Sequence, residues 1–192
     1  MDRTSQSVGT IETDADLWRE AVAGDGAAYG ALFDRHQGRV FRHAYRLLQH
    51  VPDAEDATAA AFLELWRRRG AVRLVDGSVR PWLLLTATNC ARNLTRSRRR
   101  YQAVLDALPR ESTVDPPPDP LDAALVAAIA RLRPRDARLL ALVALGDLEI
   151  GEAALVVGLT PGAARTRLHR IRATLQSDLG RSVRAPHLTE TP

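Results

Sequence analysis

Apolar residues recur at helical spacing through most of this chain, and strict alternation over a strand's length is absent. Ala15 to Ala23 forms a first periodic segment, stopped by Gly24-Asp25-Gly26. A second runs from Ala27 to Gln49, with Leu32, Phe33, Val40, Phe41, Ala44, Tyr45 and Leu48 on one side. Pro52 marks the next start, with Asp53 as its cap, and Asp53 to Arg69 places Ala54, Ala57, Ala61, Phe62, Leu65 and Trp66 on one face. Gly70 to Gly77 reads as a loop. A fourth helix is predicted from Val79 to about Arg100, with Pro81 in its first turn.

The pattern then breaks. Residues 108–120 contain VDPPPDP, which cannot continue a helix and favours an extended spacer. Beyond it, Leu121–Leu132, Pro134–Leu145, Glu149–Val157 and Pro161–Leu179 read as four more helices. The expected fold is all-α, with two small helical domains joined by a Pro-rich linker. The expected layout is a disordered leader at 1–14, a first domain at 15–105, a linker at 106–120, a second domain at 121–180 and a polar tail at 181–192.

Charge sharpens this picture. The net charge of the 192 residues is only +4, but it is unevenly spread. Met1 to Glu20 holds five acids against two Arg, whereas Arg67 to Arg100 holds ten Arg against the single acid Asp76. Every basic side chain apart from the histidines is Arg, whose planar fork suits phosphate and base contacts. One cysteine excludes an internal disulfide framework. No secretory leader or membrane-length apolar run is visible, so a soluble, cytoplasmic protein with no membrane insertion is expected.

The stretch from Leu148 to Leu175 carries the clearest chemistry. A short apolar helix runs into Gly158-Leu159-Thr160, where Thr160 stands as an N-cap and Pro161 as the first helical residue. The helix that follows has no acid before Gln176 and presents Arg165, Thr166, Arg167, His169, Arg170 and Arg172. Ala164, Leu168, Ile171 and Leu175 can pack beneath it. A helix with one packed face and guanidinium groups elsewhere is what a helix-turn-helix lays in a DNA major groove.

The first domain has a second basic element. In the fourth helix, Leu83, Ala87, Ala91 and Leu94 can face the core while Asn89, Arg92, Asn93 and Arg96 lie opposite, and Arg98, Arg99 and Arg100 follow. Asn and Arg can bond base edges, and the terminal arginines can hold phosphates. A basic helix end also complements the helix dipole, so the signal is weak alone. Upstream, Asp53, Glu55 and Asp56 open the third helix, where first-turn acids are ordinary.

Together these motifs resemble an RNA polymerase sigma factor of the extracytoplasmic-function (ECF) type, over Ala15 to Leu179. Asp53-Ala54-Glu55-Asp56 with Phe62-Leu63-Glu64-Leu65-Trp66 resembles the family's region 2.2. Pro81-Trp82-Leu83 resembles region 2.3, Arg92 to Arg100 region 2.4, and Thr160 to Arg172 the region 4.2 recognition helix. The resemblance implies transcription initiation with core RNA polymerase and promoter DNA as partners. Polymerase contact would come through the β′ clamp helices and the β flap. Asp53, Glu55, Asp56, Leu63 and Arg67 would form the docking face. Asn89, Arg92, Asn93, Arg96, Arg98, Arg99 and Arg100 would serve the −10 element. Thr160, Arg165, Thr166, Arg167, His169 and Arg170 would serve the −35 element. An anti-sigma factor is a further partner that the resemblance leaves open.

Other classes explain less. A plain helix-turn-helix regulator leaves the acidic helix start and the Arg67–Arg100 block without a role. His36, His43 and His50 recur every seven residues, but positions seven apart lie about 10.5 Å apart along a helix axis and cannot share one ion. They are expected at the surface or an interface. Asp53, Glu55 and Asp56 are spread around the helix axis, which argues against a shared metal. Cys90 stands alone among small residues, as a core thiol does. No catalytic motif, metal site or cofactor is expected, and the chain reads as a non-enzyme.

Overall fold

Thr13 starts the first helix. Its hydroxyl accepts from the Asp16 backbone N–H, and the Asp16 carboxylate accepts from the Thr13 N–H, a reciprocal cap. The computed structural model describes residues 12–106 and 120–184. Helix α1 (Asp14–Ala23) ends at Gly24, and α2 (Gly26–Leu48) starts beneath Asp25, whose carboxylate caps the Ala27 and Ala28 N–H groups. Helix α3 covers Val51–Arg67, and α4 covers Arg80–Asp106. Helices α5 (Pro120–Arg131), α6 (Pro134–Ala144), α7 (Ile150–Val156) and α8 (Pro161–Arg184) complete the order. Among the described residues there is no strand, only one bridge between Val75 and Ser78.

Several boundaries differ from the expectation. Asp14 belongs to α1 and not to a leader, because the Thr13–Asp16 cap nucleates the helix there. Helix α3 begins two residues before Asp53. His50 is its cap, with Nδ1 accepting from the Asp53 N–H, so Asp53 sits in the first turn and its carboxylate is free for other partners. Helix α8 runs on to Arg184, beyond the expected start of the tail. Residues 1–11, most of the linker (107–119) and residues 185–192 lie outside the described residues.

Helices α1–α4 form the first bundle. Leu17, Leu32, Val40, Phe62, Leu65, Leu83 and Leu84 are buried at its centre. Phe33 meets Phe62 edge-on at 4.7 Å, and Tyr29 meets Trp66 edge-on at 5.0 Å. The Tyr29 hydroxyl donates to the Phe62 carbonyl, and burial pushes its pKa up to about 12. Asp14 ties three segments together, α1, α2 and the turn before α4. Arg35 Nη1 donates to its Oδ1 at 2.9 Å, while His36 Nε2 and Ser78 Oγ donate to its Oδ2 at 2.7 and 2.6 Å. Burial opposes ionisation of Asp14, but these donors outweigh it and hold the carboxyl below its usual range. Ser78 Oγ also accepts from the Arg80 N–H, so the same hydroxyl sets the start of α4.

The second bundle, α5–α8, packs Leu139, Leu142, Leu148, Ala153, Ala154, Ala164 and Leu168. It rests on the first, with α4 against α6 and α7, and the two cores are continuous. Arg46 Nη1 donates to the Leu145 carbonyl at 2.7 Å, and Arg80 pairs with Glu152 at 2.8 Å. Gly146 permits the closest approach. A Cβ there would lie 2.7 Å from the Leu142 carbonyl oxygen and 3.3 Å from His43 Nδ1. His43 is therefore buried at this seam. His36 is buried as well and not at the surface, because it is drawn in against Asp14.

Candidate functional site

Helix α8 starts on Thr160, whose hydroxyl accepts from the Ala163 N–H at 3.2 Å. Ala164, Leu168 and Ile171 are buried beneath it. Arg165, Thr166, His169, Arg170 and Arg172 are exposed on the other sides. The turn before α8 is held from below. Arg135, on α6, donates through Nε to the Val157 carbonyl at 3.0 Å and through Nη2 to the Gly158 carbonyl. Gly158 has φ +70°, a backbone that a side chain would strain. Arg167 is different from its neighbours. It is half-buried, and its guanidinium meets Asp136 at 2.7 Å. That pair clamps α8 to α6.

On α4, Ala87 and Ala91 are buried and Leu94 is half-buried, as the periodicity requires. Asn89, Arg92, Asn93, Arg96 and Arg100 fall along one stripe at three- and four-residue steps. Asn93, Arg96 and Arg100 are exposed, while Asn89 and Arg92 are half-buried. Asn89 is occupied, since its Oδ1 accepts from Arg138 Nε of α6 at 2.7 Å. Burial, then the nearby Arg138 and Arg96, make the Arg92 charge costlier than usual. Arg98 leaves the stripe. It lies on the opposite side of α4 and meets Asp53 at 2.5 Å. The Arg99 side chain lies outside the described residues.

The opening of α3 separates in the same way. Asp53 is half-buried, and its carboxylate pairs with Arg98, while His50 Nδ1 accepts from the Asp53 backbone N–H. Glu55 and Asp56 are exposed, as are Leu63 (58% exposed) and Arg67. The Cys90 thiol packs beside the buried Ala44–Ala54–Ala57 cluster. The thiol is half-buried rather than in the core, and burial first, and Glu64 second, push its pKa up. Among the described residues no group of three His, Cys, Asp or Glu could hold a metal ion.

Residues 32–101 match the family model of Sigma-70 region 2, and residues 122–175 match that of Sigma-70, region 4. RNA polymerase sigma factor CarQ of Myxococcus xanthus is 34% identical over 81% of this chain and 92% of its own length. The ECF RNA polymerase sigma factor BldN of Streptomyces coelicolor is 30% identical over 83% of this chain, which spans 63% of that relative. The chain belongs to the ECF family of RNA polymerase sigma factors.

This sigma factor is also similar to CnrH, solved in complex with the cytosolic domain of CnrY. That likeness has a TM-score of 0.61 and 25% identity, over 88% of this chain and 99% of the other. In the sigma factor described here, Thr160 to Arg172 lies at the start of α8, within the region 4 match, and Arg92 to Arg100 lies on α4, within the region 2 match. Sequence reasoning missed Arg135 and Arg138. Both are charged residues on a short helix with no motif, and their partners lie over twenty residues away. Their three-residue spacing on α6 was the only local hint.

Proposed function

We propose that this sigma factor binds core RNA polymerase and directs it to promoters, with α8 reading the −35 element and the α4 stripe capturing the −10 strand. The observation that carries the reading is α8. Its packed face is apolar, its start is capped, and its exposed groups include Arg165, Thr166, His169 and Arg170 with no carboxylate among them. Arg167 supports this helix by clamping it to α6, while Thr160 sets its entry.

Asn89, Arg92, Asn93 and Arg96 supply base-bonding groups in the first domain, and Arg100 supplies phosphate charge. Opening a promoter requires binding the separated strand better than the duplex, because unstacking costs a few kcal/mol per step. Asn amides beside guanidinium groups suit that preference. Glu55, Asp56, Leu63 and Arg67 form an exposed mixed surface for the β′ clamp helices, and the second bundle would meet the β flap. The likeness to CnrH, solved with the cytosolic domain of CnrY, supports a protein partner for this chain, which the family resemblance would make an anti-sigma factor. The cytoplasm is the working compartment this reading requires; among the described residues no helix is long and apolar enough to cross a membrane.

Run-off transcription with purified core polymerase and a promoter library tests the reading. Discrete transcripts that depend on this protein are expected. Sequence-specific DNA binding with no polymerase association would instead support a regulator acting alone.

A further inference from the structure

Helix α2 carries Arg35, Arg39, Arg42 and Arg46 at steps of four, three and four, which stack them on one side. Beside them opens a cleft of about 450 Å³ whose lining includes Asp34, Arg35, Arg39, Arg42, Ser78 and Arg80. That volume lies within the roughly 300–1,000 Å³ of small-molecule sites, but the lining is charged where such sites are mostly apolar. Two of its four guanidinium groups are committed, Arg35 to Asp14 and Arg80 to Glu152. Arg39 and Arg42 have no carboxylate partner among the described residues. The Nε of Arg80 is buried and has no acceptor. A buried donor without a partner is uncommon and calls for an unseen ligand or a water.

We propose that this cleft binds a polyphosphate chain, either free or carried by a nucleoside. Two uncommitted guanidinium groups three residues apart can each fork two phosphoryl oxygens, and Arg makes such contacts bidentately. A single phosphate can bridge the two groups, whereas a chain of two or three gives each guanidinium a fork of its own. Asp34 sets the direction. Its carboxylate is held by Gln37 at 3.3 Å and repels an anion, which pushes the ligand towards the Arg39, Arg42 and Arg80 end. The Ser78 hydroxyl is already donated to Asp14 and adds nothing. Arg39 and Arg42 also line a smaller hollow with Leu145, Gly146 and Asp147 of the second bundle. A chain bound in the cleft therefore lies next to the seam between the bundles and stabilises the folded chain by mass action.

Isothermal titration of the full chain with tripolyphosphate, ATP and a short single-stranded oligonucleotide, at fixed ionic strength, tests the site. Saturable tripolyphosphate binding and a rise in Tm are expected. R39A/R42A should weaken that binding by about tenfold or more, as loss of charge-assisted bonds predicts, with its own helicity unchanged. R73A/R172A removes the same charge elsewhere and should leave it intact. Equal affinity for ATP and tripolyphosphate assigns recognition to the phosphate chain alone, and tighter ATP binding adds the nucleoside. No saturable binding, or equal loss in both double variants, would overturn the proposal. So would oligonucleotide binding through Arg39 and Arg42 that tripolyphosphate cannot displace, since that makes the stripe a nucleic-acid backbone contact.

Discussion

Arg138 Nε donates to Asn89 Oδ1 across 2.7 Å, so a guanidinium of the second bundle occupies an amide on the stripe of the first. That bond takes one of the two lone pairs of Oδ1 and holds the amide turned towards α6. The relationship makes single-strand capture through Asn89 compete with the packing of α6 on α4.

Arg138→Ala should therefore raise affinity for a single-stranded −10 oligonucleotide by about fivefold, the equivalent of ~1 kcal/mol for one half-buried bond. Asn89→Ala should lower it. Fluorescence anisotropy at constant salt measures both, and an unchanged Arg138→Ala would remove the competition from the account.

The α3 opening should divide by function. Asp53→Ala breaks the pair with Arg98 and should lower Tm, at a cost of ~0.5–1 kcal/mol for a partly exposed pair. Glu55→Arg with Asp56→Arg, and separately Leu63→Ala, should leave Tm unchanged and weaken co-purification with core polymerase. A loss of folding in the exposed variants instead would make this surface structural.

Arg135 should matter to DNA reading without touching DNA. Arg135→Ala releases the Val157 and Gly158 carbonyls and should weaken −35 binding uniformly across sequences. Arg165→Ala should cost roughly 1–3 kcal/mol if it reads a base edge, and only at the base it reads. Binding titrations against −35 duplexes with single substitutions separate the two patterns. Sequence-selective loss in Arg135→Ala would contradict its bracing role.

His43 makes the seam sensitive to acid. Thr88 gives its hydroxyl proton to the Leu84 carbonyl at 2.8 Å, so Thr88 Oγ must accept from His43 Nε2, at 2.7 Å. That leaves Nδ1 unprotonated and without a partner. Burial lowers the His43 pKa, and Arg46 lowers it further, against the Leu145 carbonyl and Asp147, which raise it. The unfolded chain then takes up a proton before the folded one does. Stability should be full above the ordinary histidine pKa of about 6.5 and fall as pH drops below it. His36, also lowered by burial, adds the same sign. Urea titrations at pH 7.5 and 5.5 should show the loss, and His43→Gln should reduce it. An equal acid loss in that variant would assign the effect elsewhere.

Much of this architecture is legible in the sequence. The eight helices among the described residues, the Thr160 cap and the packed face of α8 depend on contacts three or four residues apart, and a sequence displays those directly. Even there, His50 took the cap that Asp53 suggested, because two competent caps stood three residues apart and only packing chose between them. The family pattern was similarly readable, since it consists of short motifs in a set order.

The tertiary structure decided how the charges are spent. In sequence, Arg98 is one of a basic run, Arg167 one of a basic helix and Asn89 one of two asparagines on a face. In the fold, Arg98 turns to Asp53, Arg167 to Asp136, and Asn89 receives Arg138. The physical reason is reach. A helix periodicity says which side of its own axis a side chain occupies. Which foreign carboxylate, carbonyl or amide stands opposite depends on how the helices cross, and the packing of distant apolar faces sets that crossing.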